Sequence, residues 1–403
     1  MKRLIFGLAL GSLCFTSCSS DDNNIETTPE LNVPANYTFE ADGGSTVNYP
    51  GQTLRLRMVK EIFSSFNDFD TQSQESLSNM FSNENTPFSP ADLNETSKSV
   101  KSKVAASKLY FSSNNVESSE IKADFESYIA EQMSEVKANQ NEVAAAGQAG
   151  QIADGAKTRY VNAKGLELNQ AFAKGLIGGL LTDQILNNYL SEAVLDEGDN
   201  RENNKNGVTE ESTNYTTMAH KWDEAYGYLY GDPSIPMEDP NTVLNESDDH
   251  LLFNYLGVVE GDSDFTGIAE ETFEAFKIGR AAIEAGKYEV RDQQTATIRE
   301  NISKVIAVRA VHYLAAGAKA LEEGTNRGGA FHELSEAYGF LYSLRFTHNP
   351  ETGTPYLTPG KIETFKEQML AENGFWSLTP ETLNNMAEEI AAKFDFSVAM
   401  AAE

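Results

Sequence analysis

His220-Lys221-Trp222-Asp223-Glu224-Ala225-Tyr226-Gly227-Tyr228-Leu229-Tyr230 returns further along the chain as His332-Glu333-Leu334-Ser335-Glu336-Ala337-Tyr338-Gly339-Phe340-Leu341-Tyr342. Seven of the eleven positions are identical and an eighth exchanges Tyr for Phe. The chain has only 5 histidines, so two at one register of one motif argue for duplication into similar helical units. On a helix, His220 and Glu224 are i and i+4 and share a face, as do His332 and Glu336. Gly227 and Gly339 fall on that face one turn further on. A helix-interior glycine costs about 1 kcal/mol relative to alanine, so its repetition implies a close approach to the backbone by another element or a ligand. Tyr226 and Tyr230, like Tyr338 and Tyr342, form an adjacent stripe whose hydroxyls are placed to bond carboxylates.

Outward from the repeat, helical periodicity runs from Leu54 almost to the end. It predicts helices over 54–80, 92–111, 118–146, 157–192, 213–230, 266–285, 291–323, 328–346, 361–372 and 380–394. Segments rich in Pro, Gly or Asn interrupt it at 82–90, 196–212, 233–262 and 347–359. Ala171 to Leu181 is an apolar helical run with Gly175, Gly178 and Gly179, small residues that let a neighbouring helix come close. The expected fold is all-α: a two-lobed helical bundle from an internal duplication, with lobes over 54–235 and 236–403. A small β-hairpin precedes them in 33–53, where Tyr37-Thr38-Phe39-Glu40 and Ser45-Thr46-Val47-Asn48-Tyr49 alternate around Gly43-Gly44.

The 403 residues carry 31 basic and 61 acidic side chains, a formal charge of −30. Nucleic-acid binding needs a basic stripe that releases counterions, so this composition excludes it as the main function. The field attracts cations and basic partners instead. At 40% hydrophobic, the chain has enough apolar material for sizeable cores.

Met1-Lys2-Arg3 followed by an apolar run from Leu4 to Phe15 reads as a secretory signal, residues 1–17, too short to span a membrane. Ser17-Cys18 at its end resembles the processing site of bacterial lipoproteins, which implies cleavage before Cys18 and lipidation of that residue. Removal of Lys2 and Arg3 takes the formal charge from −30 to −32. Cys14 and Cys18 are the only cysteines, so a disulfide framework and a cysteine metal site are both excluded. Residues 18–32 are an acidic, polar, flexible tether. Acidic residues directly after the cysteine resemble the signal that carries Bacteroidetes lipoproteins to the cell surface, with a periplasm-facing protein as the alternative.

The chemistry on offer is an imidazole and a carboxylate one helical turn apart, twice. Two such helices facing each other would supply His220, Glu224, His332 and Glu336 to one cation, with Asp223 an added ligand in the first copy only, since Ser335 replaces it in the second. The alternative is a pair of buried hydrogen-bonded struts. A zinc-protease motif is absent, because Glu stands where a second His is required. His312, in an apolar run, reads as a core residue, and His250 as an exposed loop residue.

Tyr37 to Glu40, Ser45 to Thr53 with Arg55, and the His220 to Gly231 stretch together resemble the Bacteroidetes lipoproteins of the domain of unknown function 4856 family, over about 33–396. That family is similar in turn to imelysin-like proteins. The resemblance implies a two-lobed helical bundle, an outer-membrane lipoprotein and a role in acquiring iron or another divalent metal or ligand, beside an outer-membrane receptor. The imelysin pattern has Gly two residues before its His, where Met218 stands here, and Glu three after it, where Asp223 stands with Glu224 at four, so carry-over to His220, Asp223 and Glu224 is only partial. The alternatives are a metal-dependent, peptidase-like hydrolase using the same residues and a surface scaffold without metal.

Overall fold

The computed structural model describes residues 30–247 and 249–402. The signal segment, Cys18 and most of the tether lie outside the described residues. The fold is all-α with a small N-terminal hairpin, as the periodicity predicts. Strands β1 (Glu40–Ala41) and β2 (Gly44–Ser45) pair antiparallel around Asp42-Gly43. Helices α1 (Pro50–Ser65), α2 (Gln74–Ser82), α3 (Ala91–Asn94), α4 (Lys108–Phe111) and α5 (Asn115–Glu131) follow. A second antiparallel pair, β3 (Gly150–Asp154) and β4 (Lys157–Val161), leads into α6 (Leu168–Leu176), which continues as a π-helix over Ile177–Tyr189. The remaining helices are α7 (Glu192–Leu195), α8 (Asn200–Lys205), α9 (Thr217–Tyr230), α10 (Leu252–Glu260), α11 (Ile268–Glu284), α12 (Tyr288–Glu323), α13 (Arg327–Ser343), α14 (Pro359–Met369), α15 (Pro380–Ala391) and α16 (Val398–Ala401). None of the described helices is long and apolar enough to cross a membrane.

Several expectations shift. The helix predicted over 157–192 starts only at Leu168, because residues 150–161 form the second hairpin, turning at Gly155-Ala156 with Gly155 at φ +57°. The predicted helices over 54–80 and 92–111 are each broken. In the first case Ser73 caps α2, its hydroxyl accepting from the Ser76 amide while the Ser76 hydroxyl accepts from the Ser73 amide, a reciprocal cap that starts a new helix. Within the segment read as loop, 233–262, Leu252–Glu260 form α10.

Every residue from Leu168 to Tyr189 is buried, so this helix is the axis of the core. Its buried polar side chains are met by partners on neighbouring elements: Lys174 by Glu336, Asp183 by the Ala106 and Ser107 amides, Gln184 by the Lys103 carbonyl and Asn187 by the Phe346 carbonyl. Gly178 marks its closest crossing: a Cβ there would collide with the backbone of Ser343 on α13. The crossing is locked by hydrogen bonds, with the Gly178 amide donating to Ser343 Oγ at 2.8 Å and Ser343 Oγ donating to the Lys174 carbonyl at 2.6 Å.

The two motif helices, α9 and α13, flank this axis. Helix α9 packs on α1, α11 and the π-helical segment, and α13 packs on α6, α12 and the same segment. Each copy is thus matched with a helix that follows a β-hairpin: α1 after β1 and β2, α6 after β3 and β4. In chain order both hairpin units precede both motif helices, so residues 54–235 supply the partner of each copy. One hydrophobic cluster runs through both halves, from Tyr37 to Ala401.

Candidate functional site

Helix α9 starts where the Thr216 hydroxyl accepts from the Ala219 amide, and α13 where the Asn326 side chain accepts from the Gly329 amide. His220 stands four residues after its cap and His332 six after its own, so the motifs sit at different depths in their helices, and their surroundings differ as well.

In the first copy, His220 and Glu224 turn to separate partners. His220 Nδ1 lies 3.2 Å from Glu210 Oε2, and its ring lies against Tyr215. Glu224 accepts from Lys221 Nζ at 2.7 Å and from Gln52 Nε2, on the first turn of α1, at 3.0 Å. Burial works against ionisation of Glu224, but Lys221, His220 and Gln52 outweigh it and hold the carboxyl below its ordinary range. Asp223 faces the other way, into the core. It is fully buried, accepts from the Tyr37 hydroxyl at 2.7 Å and pairs with Arg280 Nε at 3.1 Å. Burial pushes its carboxyl up to about 6, against the opposing effects of Arg280 and Tyr37. Asp223 therefore ties the N-terminal segment and α11 to α9. Tyr37 also stacks on Tyr226, with ring centroids 3.7 Å apart.

In the second copy the residues form one chain of ionic contacts. His332 Nδ1 lies 3.0 Å from Glu167 Oε1, and its Nε2 lies 3.8 Å from Glu336 Oε1. Glu336 is 7% exposed and faces Lys174 Nζ of α6 at 3.4 Å. Burial favours the neutral acid at Glu336, but Lys174, the Tyr313 hydroxyl and His332 reverse that preference. Ser335, in the place of Asp223, accepts from the Glu167 amide at 2.9 Å. The repeated glycines are explained by close packing: a Cβ on Gly227 would strike the Tyr49 ring, and one on Gly339 would strike Lys174.

The four His and Glu side chains have no partner in common across the two copies. Among the described residues no three His, Cys, Asp or Glu side chains converge to hold a metal ion. Both Glu224 and Glu336 already face an ammonium, which is the wrong surrounding for a resident cation. The tyrosine stripe does not serve the motif carboxylates either: Tyr226 donates to the Met237 carbonyl at 2.7 Å and Tyr342 to Asp124 at 2.8 Å. His312 is half-buried with Nδ1 3.0 Å from the Ala401 carbonyl, a structural position, and His250 is exposed.

The geometry adds residues that no sequence pattern singled out. His220, Lys221 and Glu224 line a cleft of about 330 Å³, closed by Asn48, Pro50, Gly51, Gln52, Arg55, Lys98, Lys103, Asn188, Tyr189 and Val194. Tyr189 stands at its centre of charge, with Lys103 Nζ 5.2 Å and Lys221 Nζ 5.7 Å from its ring centroid. The nearest sequence signal was the run from Lys98 to Lys108, which holds four lysines and no acidic residue in an acidic chain.

No curated protein and no solved structure matches the chain. A family model does match, over residues 34–397, nearly all of the described residues. The protein belongs to the family described as domain of unknown function (DUF4856).

Proposed function

We propose that the protein is a lipid-anchored binding protein of the outer membrane that holds a small ligand in the cleft over His220, Lys221 and Glu224. The observation that carries this reading is the contrast between the copies: the first lines an open cleft of ligand size, whereas the carboxylate of the second is buried under Lys174. Anchoring rests on the Ser17-Cys18 pattern, and a tethered domain of this kind acts in capture at a membrane.

A bare metal ion is not the ligand this cleft favours, because Glu224 is engaged by Lys221 and Gln52 and cationic side chains surround it. A role in acquiring iron or another metal then requires the metal to arrive within a larger ligand. The same saturation of Glu224 argues against a metal-dependent hydrolase, which needs an open coordination position beside a free carboxylate base.

The test is native mass spectrometry of the mature chain purified from its own envelope, beside a Gly51→Trp variant that fills the cleft. Gly51 has an ordinary negative φ and a Cβ there meets only Arg55 and Lys98 side chains at 3.5 Å, so the variant is expected to fold. A small molecule retained by the native chain and lost from the variant supports binding. Equal retention by both, or peptide hydrolysis abolished by His220→Ala, overturns it.

A further inference from the structure

The cleft departs from the rest of the molecule in charge. Its lining includes Arg55, Lys98, Lys103 and Lys221 against a single carboxylate, Glu224, in a chain where acidic residues outnumber basic ones by 61 to 31. A cluster of this sign is a local choice of the fold, since the chain's overall field would pair each cation readily.

Arg55 makes the point most sharply. It is 5% exposed, and among the described residues it meets no carboxylate: Nε donates to the Ser99 carbonyl at 3.0 Å and Nη1 to the Gly51 carbonyl at 3.2 Å. A buried guanidinium without a counter-ion is costly, and proteins normally pair it. Lys103 is in a similar position, and among the described residues its ammonium donates to the Tyr189 hydroxyl alone, at 3.1 Å. Burial, reinforced by Arg55, Lys221 and Lys98 and opposed by Glu224, lowers its ammonium to about 8.

The cleft also holds one end of a helix. Asn48, Pro50, Gly51 and Gln52 place the first turn of the 16-residue α1 on its wall, and Tyr49 at the N-cap offers no side-chain acceptor. Pro50 carries no N–H and the Gln52 amide donates to the Tyr49 carbonyl at 3.1 Å, so what this turn offers an anion is chiefly the positive end of the helix dipole. Helix terminus, buried arginine and two further ammonium groups converge on one volume.

We infer that the ligand of this cleft is a small anion, carrying a carboxylate or phosphate group that docks between the first turn of α1, Arg55, Lys103 and Lys221. The assignment deepens the binding reading and rests on it. The anionic group supplies the counter-charge that Arg55 and Lys103 lack, through charge-assisted hydrogen bonds. The Tyr189 ring supports the adjoining part of the ligand, and Glu224 holds Lys221 in place.

The experiment is calorimetric titration and thermal shift of the mature chain with citrate and, separately, inorganic phosphate at about 10 mM in a low-salt buffer, where mass action reveals even millimolar sites. Lys103→Met and Gly51→Trp are run beside it. Citrate or phosphate is expected to raise the melting temperature of the native chain, and the two arms tell a carboxylate from a phosphate ligand. Lys103→Met is expected to lose about tenfold or more in affinity while melting, ligand-free, no lower than the native chain. Affinity is expected to fall as pH rises through about 8, where Lys103 gives up its charge. A shift that survives in Lys103→Met or in Gly51→Trp overturns the anion site. A neutral molecule recovered from the native cleft, with neither anion binding, overturns the anion assignment and leaves the binding reading standing. A cleft empty in native protein and indifferent to both anions overturns both.

Discussion

Lys174 on the central helix and Glu336 on the second motif helix form a buried pair, Nζ to Oε1 at 3.4 Å, with side-chain exposures of 7% and 9%. In the first copy the corresponding carboxylate, Glu224, is neutralised from its own helix by Lys221 at i−3. The duplicated motif has therefore kept its acid and changed the origin of its base, and that change decides which copy is a strut and which is open.

Removing one partner of the Lys174 and Glu336 pair strands a charge in the core. Lys174→Met is expected to cost about 3–5 kcal/mol in urea denaturation. The double variant Lys174→Met with Glu336→Gln should recover part of that loss, and a double-mutant cycle measures the coupling.

At His332, burial alone would disfavour the imidazolium, but Glu167 and Glu336 outweigh it, against a smaller opposing effect of Arg159, and the pKa rises above 6.5. The folded state then binds the proton more tightly than the unfolded one. This stabilisation is fully present below about pH 6.5 and is lost as pH rises through the raised value. Stability measured from about pH 5.5 to 8.5 should fall more steeply in the native chain than in His332→Gln.

Gly178→Ala and Gly339→Ala test the close crossings of the central helix with α13. In each case the added methyl meets backbone or a Cβ, which cannot swing aside. Each is expected to destabilise by about 1–3 kcal/mol or more through overpacking, despite the gain in helix propensity. Equal or higher stability would show that the crossing relaxes.

Asp223→Ala removes the acceptor of Tyr37 and the partner of Arg280 at once. A loss of about 3–5 kcal/mol is expected, with or without chelator. Dependence of that loss on added metal would return Asp223 to the role of ligand.

Chelation supplies the complementary measurement. The melting temperature of the native chain is expected to be the same in excess EDTA and with Fe²⁺, Fe³⁺ or Zn²⁺ added, and Glu224→Gln and Glu336→Gln are expected to leave this indifference unchanged. A metal-induced rise lost in either variant would restore the metal site.

Much of this architecture was legible in local pattern. The periodicity from Leu54 onward, the repeat, and the small residues of Gly175 to Gly179 led to an all-α fold with a tightly crossed central helix. Gly227 and Gly339 correctly announced a close neighbour, although its identity, Tyr49 in one case and Lys174 in the other, depends on segments far away in sequence. The second hairpin was missed because the residues of β4, 157–161, fall at the start of the helix predicted over 157–192, which leaves β3 in the gap after 146 without a strand partner. The cleft was legible only through His220 and Glu224 on its wall. Arg55, Lys103, Tyr189 and Lys221 come from four separate regions, and only tertiary packing gathers them. His220 and Glu224 share a helical face as spacing requires, yet spacing does not say that Glu210 and Lys221 are nearer partners.

The order of segments around the central helix has a consequence for how the chain becomes a protein. Both hairpin units are made before either motif helix, so α1 waits for α9 and α6 waits for α13, each across a gap of more than a hundred residues. Long-range closures of this kind raise contact order and delay folding. The first unit is complete in sequence once α9 ends at Tyr230, but a chain cut after residue 235 retains α6 without its α13 cover. Closure over the central helix waits for residues 327–343, in the last quarter of the chain, so the innermost helix is among the last parts of the molecule to be covered.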